Sequence, residues 1–115
     1  MSLDLYLYAD IDLGGPEPKR IELWSGNVTH NLGAMADAAG IYDAMWRPKE
    51  HGITTAGQMI EPLERGLASM KAEPEKYTIL NPKNGWGTYD GLVEFVARLI
   101  DECKKAPKAK VSACT

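Results

Sequence analysis

Two short segments carry most of the hydrogen-bonding and stacking chemistry in this 115-residue sequence. The first, Ser25-Gly26-Asn27-Val28-Thr29-His30-Asn31, gathers hydroxyl, amide and imidazole groups where a strand is expected to run into a helix. Backbone N–H groups at such a junction, together with Asn27, Thr29 and Asn31, suit an anionic or amide-bearing ligand. The same residues also fit a local role, in which Asn31 caps the helix and the others close Asx or Ser/Thr turns. The second segment sets Asn81 and Asn84 beside Trp86 and Tyr89. Its indole can stack on a planar ligand or anchor a partner, and it can equally plug the gap over two long helices.

Covalent and metal chemistry finds little to work with. His30 and His51 form no HExxH or paired Cys/His pattern, so no metal site is expected. Cys103 falls on the apolar stripe of a helix, where a thiol acts as a small hydrophobe and not as a nucleophile. Gly85 and Gly87 bracket Trp86 with no Lys-Ser/Thr after them, so neither a phosphate-cradling loop nor a dinucleotide fingerprint is present and no cofactor is expected. An enzyme reading would rest on His30 as a lone acid or base, with Asn27, Thr29 and Asn31 positioning a nucleotide-like metabolite.

The elements that must hold these segments are legible from periodicity. Leu3, Leu5, Leu7, Ala9 and Ile11 alternate with polar residues and tyrosines, as in a half-buried strand. Gly14-Gly15-Pro16 supplies a turn, and Arg20 to Ser25 alternates again, giving a hairpin. Strict alternation turns Leu5, Leu7, Ile21 and Leu23 to the core and leaves Tyr6, Tyr8, Glu22 and Trp24 on the other face. That aromatic face, Tyr6, Tyr8 and Trp24, would be buried either by a homodimer or by the chain's own C-terminal part.

A short helix is expected over 32–39, ended by Gly40, with a further turn at 42–46. Thr55-Ala56-Gly57-Gln58 matches a capping box ahead of a longer helix, in which Pro62 argues for a kink or for a start near Glu61. Pro74 can open another turn, 81–87 reads as a loop, and Thr88 caps a helix carrying Leu92, Phe95, Val96, Leu99, Ile100 and Cys103 at helical spacing. Residues 109–113 can return as an edge strand beside the hairpin. The expected architecture is α+β, a small antiparallel sheet packed on one side by three helices, in a single domain spanning 1–115.

Composition narrows the partners. A net charge of -3 gives no broad field for nucleic acid, and the lysines 104, 105, 108 and 110 follow a helix, where cations complement its dipole. No apolar run reaches the length of a membrane span, and two cysteines without CxxC spacing fit a reducing cytoplasm.

The segments Asn27-Val28-Thr29-His30-Asn31-Leu32, Leu63-Glu64-Arg65-Gly66-Leu67 and Leu80-Asn81-Pro82-Lys83-Asn84-Gly85-Trp86-Gly87-Thr88-Tyr89-Asp90-Gly91 resemble a family of small proteins of actinobacteria and their bacteriophages. The resemblance runs from the second strand to the last long helix and rests on the Asn-x-Thr-x-Asn and Asn-Gly-Trp-Gly-x-Tyr segments. It implies no particular activity. Beside the missing nucleophiles, paired acids and metal ligands, it favours a phage-type binding protein that captures a small molecule or occupies a host protein, one version being the counteraction of host defence. Asn27, Thr29, Asn31, Asn84, Trp86 and Tyr89 are the expected contact residues. A small enzyme using His30 and a structural component assembled through the aromatic face are the alternatives.

Overall fold

A computed structural model describes all residues, 1–115. Its centre is β1 (Ser2–Ile11), the strand whose alternation is cleanest, flanked on one side by β2 (Lys19–Thr29) and on the other by β3 (Lys110–Cys114), both antiparallel to it. Leu3, Leu5 and Leu7 are at most 1% exposed. Each contributes roughly 1.5–3 kcal/mol by leaving water. The returning strand is therefore present, and it makes β1 central, which a lone hairpin could not do.

Between β2 and β3 the chain forms a short 3-10 turn at His30–Leu32 and then α1 (Gly33–Ala38), α2 (Tyr42–Trp46), α3 (Ala56–Ala72), α4 (Pro74–Thr78) and α5 (Tyr89–Lys105). The fold is α+β. Its apolar residues gather into one cluster that joins the leucines of β1 to Met59, Leu63 and Met70 of α3 and to Leu92, Val96 and Leu99 of α5. The helix α3 starts at Ala56 and not near Glu61, because both halves of the capping box form, Thr55 with the Gln58 backbone and Gln58 with the Thr55 backbone. Pro62 lies within the helix all the same. No helix is long and apolar enough to cross a membrane.

One feature of the sheet overturns strict alternation. The register shifts between Leu7, which pairs with Trp24, and Tyr8, which pairs with Glu22, so that Leu23 is an extra, unpaired residue. A bulge of this kind reverses which side chains point inward across it. Trp24 therefore faces the helices and packs edge-on against Phe95 of α5, centroids 5.7 Å apart, while Leu23 is 48% exposed. Gly26 leaves the room: a Cβ there would lie 2.5 Å from the Trp24 ring. The expected aromatic face thus loses Trp24. Tyr6 and Tyr8 remain on it among charged residues, with the Arg20 guanidinium 3.8 Å above the centre of the Tyr8 ring. The neighbouring Asp4 carboxylate, ahead of burial, raises the Tyr6 phenol's pKa, so the ring stays neutral.

The hairpin outruns its helical cover. Every residue from 10 to 20 is exposed, and the molecule measures 53 × 27 × 22 Å.

Candidate functional site

Strand β2 delivers the Asn27–Asn31 segment to the same rim as the loop between α4 and α5, and the two meet at Gly87. That glycine has φ +102°, a left-handed conformation that side chains resist, and a Cβ there would lie 2.8 Å from both Leu32 Cγ and Thr29 Cγ2. The two polar segments form one surface.

Most of their hydrogen-bonding groups are engaged within the protein. Asn27 Nδ2 donates across the sheet to Asp4 Oδ1 and Ser2 Oγ, each at 2.7 Å. Thr29, and not Asn31, caps the turn that follows: its hydroxyl oxygen accepts from the Asn31 N–H at 3.3 Å. The reason is that helical geometry begins two residues earlier than expected, as a 3-10 turn at His30, which places Thr29 at the extended N-cap position. Asn31 is then exposed, and its side-chain amide makes no hydrogen bond within the protein.

The second loop is pinned at both ends. Asn81 Oδ1 accepts from the Tyr89 N–H at 2.8 Å, and Asn84 Oδ1 accepts from the Trp86 N–H at 3.0 Å in an Asx turn. Tyr89 is not at the surface with them. It is 9% exposed, and its hydroxyl donates to the Met70 carbonyl at 2.6 Å, tying α5 to α3. Trp86 takes the opposite position. Its side chain is no plug over the helices, being 70% exposed, and Ile79 and Leu80 on the same loop are 81% and 37% exposed.

His30 accepts at Nδ1 from the Trp46 indole N–H, 2.9 Å away, so the neutral ring carries its proton on Nε2. Trp46 is 5% exposed and stacks on Tyr42 at 5.1 Å and 8°. No carboxylate or hydroxyl hydrogen-bonds to His30, and no group of three or more His, Cys, Asp or Glu side chains could hold a metal ion. The imidazole thus satisfies a buried donor, a role invisible in sequence because Trp46 lies 16 residues away. Replacing His30 with Ala leaves that indole N–H unpaired and is expected to cost about 1–3 kcal/mol, measured by urea denaturation. Asn at position 30 can offer its carbonyl oxygen where Nδ1 stood, and is expected to recover at least half of the loss.

The Cys103 thiol supplies no nucleophile to this rim. Cys103 is fully buried on α5, and burial, ahead of the adjacent Glu102, pushes its pKa up to about 11. Iodoacetamide at pH 8 is expected to modify the exposed Cys114 and to reach Cys103 only after unfolding, as one mass increment before denaturant and two after. Because the thiol is neutral when protonated and its pKa is raised by folding, the unfolded chain loses this proton first. The stability difference between the parent and Cys103→Ala is therefore constant below pH 9 and shrinks as the pH rises from about 9 to about 11.

Compared with protein-family models, curated proteins and solved structures, the chain matches none. What the rim does rests on its own chemistry: a fixed polar frame that presents one bare indole.

Proposed function

We propose that this chain is a non-catalytic binding protein that docks a protein partner on the Trp86 loop. The observation that carries the reading is an indole 70% exposed on a backbone held by the Asn81 and Asn84 side chains and wedged at Gly87 against Thr29 and Leu32. A tryptophan is among the commonest anchors of protein interfaces, and one carried on a fixed loop forfeits little backbone freedom on binding. Small-molecule sites bury most of their ligand, which a projecting indole cannot do alone, whereas a partner surface with a recess can close around it. Ile79 and Leu80 add exposed apolar area on the same loop, in keeping with the apolar centre of protein interfaces.

The resemblance to bacteriophage proteins makes a host protein the partner class to look for, met in the host cytoplasm. His30 has no place in this reading beyond holding Trp46. A photocrosslinking amino acid at position 86, introduced in the cells that make the protein, is expected to give one discrete adduct that is absent when the same group stands at Lys71 on α3. No adduct at 86, or the same adducts from both positions, would defeat the proposal.

A further inference from the structure

On the far side of β3 the structure holds a cleft of about 650 Å³ that no part of the binding-loop reading uses. One wall comes from the sheet, with Tyr8, Arg20, Lys110 and Ser112, and the other from the segment between Trp46 and Thr55. The two walls are tied at the cleft's edge, where the Val111 N–H donates to the Thr54 carbonyl at 3.1 Å and Thr55 bridges to Lys110.

The cleft's charge is the reverse of the chain's. Against a net charge of -3 overall, its lining side chains include Arg20, Arg47, Lys49 and Lys110 and one carboxylate, Glu50. Two of these cations have carboxylate partners: Arg47 with Glu50 at 3.3 Å, and Lys110 with Asp10 at 2.9 Å. The other two have none. Arg20 lies over the Tyr8 ring, which orients its guanidinium without neutralising it, and Lys49 makes no ion pair. Cations gathered between two walls raise the local concentration of small anions. Pro48, Ile53 and the indole of Trp46 give the same cleft an apolar side, which bare phosphate would leave unused. Its volume lies within the range of sites for metabolite-sized ligands, roughly 300–1,000 Å³.

We propose that this cleft binds a small organic anion with two or more negative charges, the anionic end held by Arg20 and Lys49 and the organic part set against Pro48 and Ile53. Phosphate esters and polycarboxylates share that chemistry. Arg20 and Arg47 offer planar donor forks that match either group, and Lys49 supplies a mobile point charge. The site is separate from the Trp86 loop, so it can be occupied with or without a partner there.

The test is an NMR titration of the amide-labelled full chain with ATP, AMP, citrate and inorganic phosphate in turn, at low salt. Saturable shifts confined to residues around Arg20, Lys49, Lys110 and Ser112 are expected, with ATP or citrate saturating at lower concentration than phosphate. Which of the two leads tells a phosphate ester from a polycarboxylate. Arg20→Gln with Lys49→Gln, both on the surface, is expected to weaken that binding about 10-fold or more while leaving the rest of the spectrum in place. Lys83→Gln, outside the cleft, is the control. Absence of saturable shifts with all four anions would overturn the proposal. So would shifts centred on other lysines, or equal affinity in the double variant.

Discussion

Gly66→Val is expected to remove about 3 kcal/mol or more of stability, a large part of the ~5–15 kcal/mol of an ordinary domain. Gly66 is buried in the middle of α3, and a Cβ there would overlap Ile41 Cγ2 and lie 3.0 Å from the Ala39 carbonyl oxygen. The carbonyl belongs to the backbone that turns between α1 and α2, and Ile41 is wholly buried, so neither neighbour can swing into solvent. Helix propensity runs the other way, since replacing a mid-helix glycine with Ala is ordinarily worth up to ~1 kcal/mol. Packing outweighs it. Gly66→Ala is therefore expected to destabilise, by about 1–2 kcal/mol net, and Gly66→Val by more, as its added methyls meet the same wall. Gly33→Ala provides the contrast. It sits in α1 with its nearest neighbour at 3.6 Å, so propensity is free to act and the change is expected to be neutral or stabilising. Urea unfolding of the three variants against the parent decides the signs.

Gly87→Ala carries the second large effect, and it links the fold to the site. Two costs combine at this position. The φ of +102° is strained for any residue with a Cβ, at about 1–3 kcal/mol, and the added methyl drives into Leu32 and Thr29 at 2.8 Å, for about 1–3 kcal/mol more. The loop can escape part of this by lifting off, which spares the core but moves Trp86. Melting temperature and partner binding should therefore fall together. Gly85→Ala separates the terms: its φ is +76°, with nothing within 4 Å of the added methyl, so only the strain applies. Gly85→Ala matching Gly87→Ala in both readouts would mean that the contact with Thr29 and Leu32 is not what holds the loop.

What could be read from the sequence, and what could not, divides along physical lines. The order of elements follows from local periodicity, and Thr55, Thr88 and Pro74 mark helix starts where the structure has them, because capping is decided within a few residues. The side assigned to Trp24 fails for want of one residue: the bulge at Leu23 is set by how β2 pairs with β1, which a period-2 pattern cannot register. Asn31 suits a cap by residue type, yet the 3-10 turn moves that role to Thr29. Tyr89 shares a polar, turn-rich segment with Trp86 but is the first residue of α5, and a helix start turns it inward while the loop leaves Trp86 outside. That the two polar segments meet depends on Gly87 contacting residues more than 50 positions away, a distance no spacing rule covers. The cationic cleft is hidden for the same reason, since Arg20, Lys49 and Lys110 come from three separate stretches of an acidic chain.

The most direct test of the account is the affinity of Trp86→Ala for the protein that crosslinks at position 86, by isothermal titration, alongside its melting temperature. An exposed anchor predicts a dissociation constant raised about 30-fold or more, as for a residue worth at least ~2 kcal/mol to binding, with the melting temperature unchanged. Undiminished affinity would contradict the account, as would a loss of affinity matched by a loss of stability.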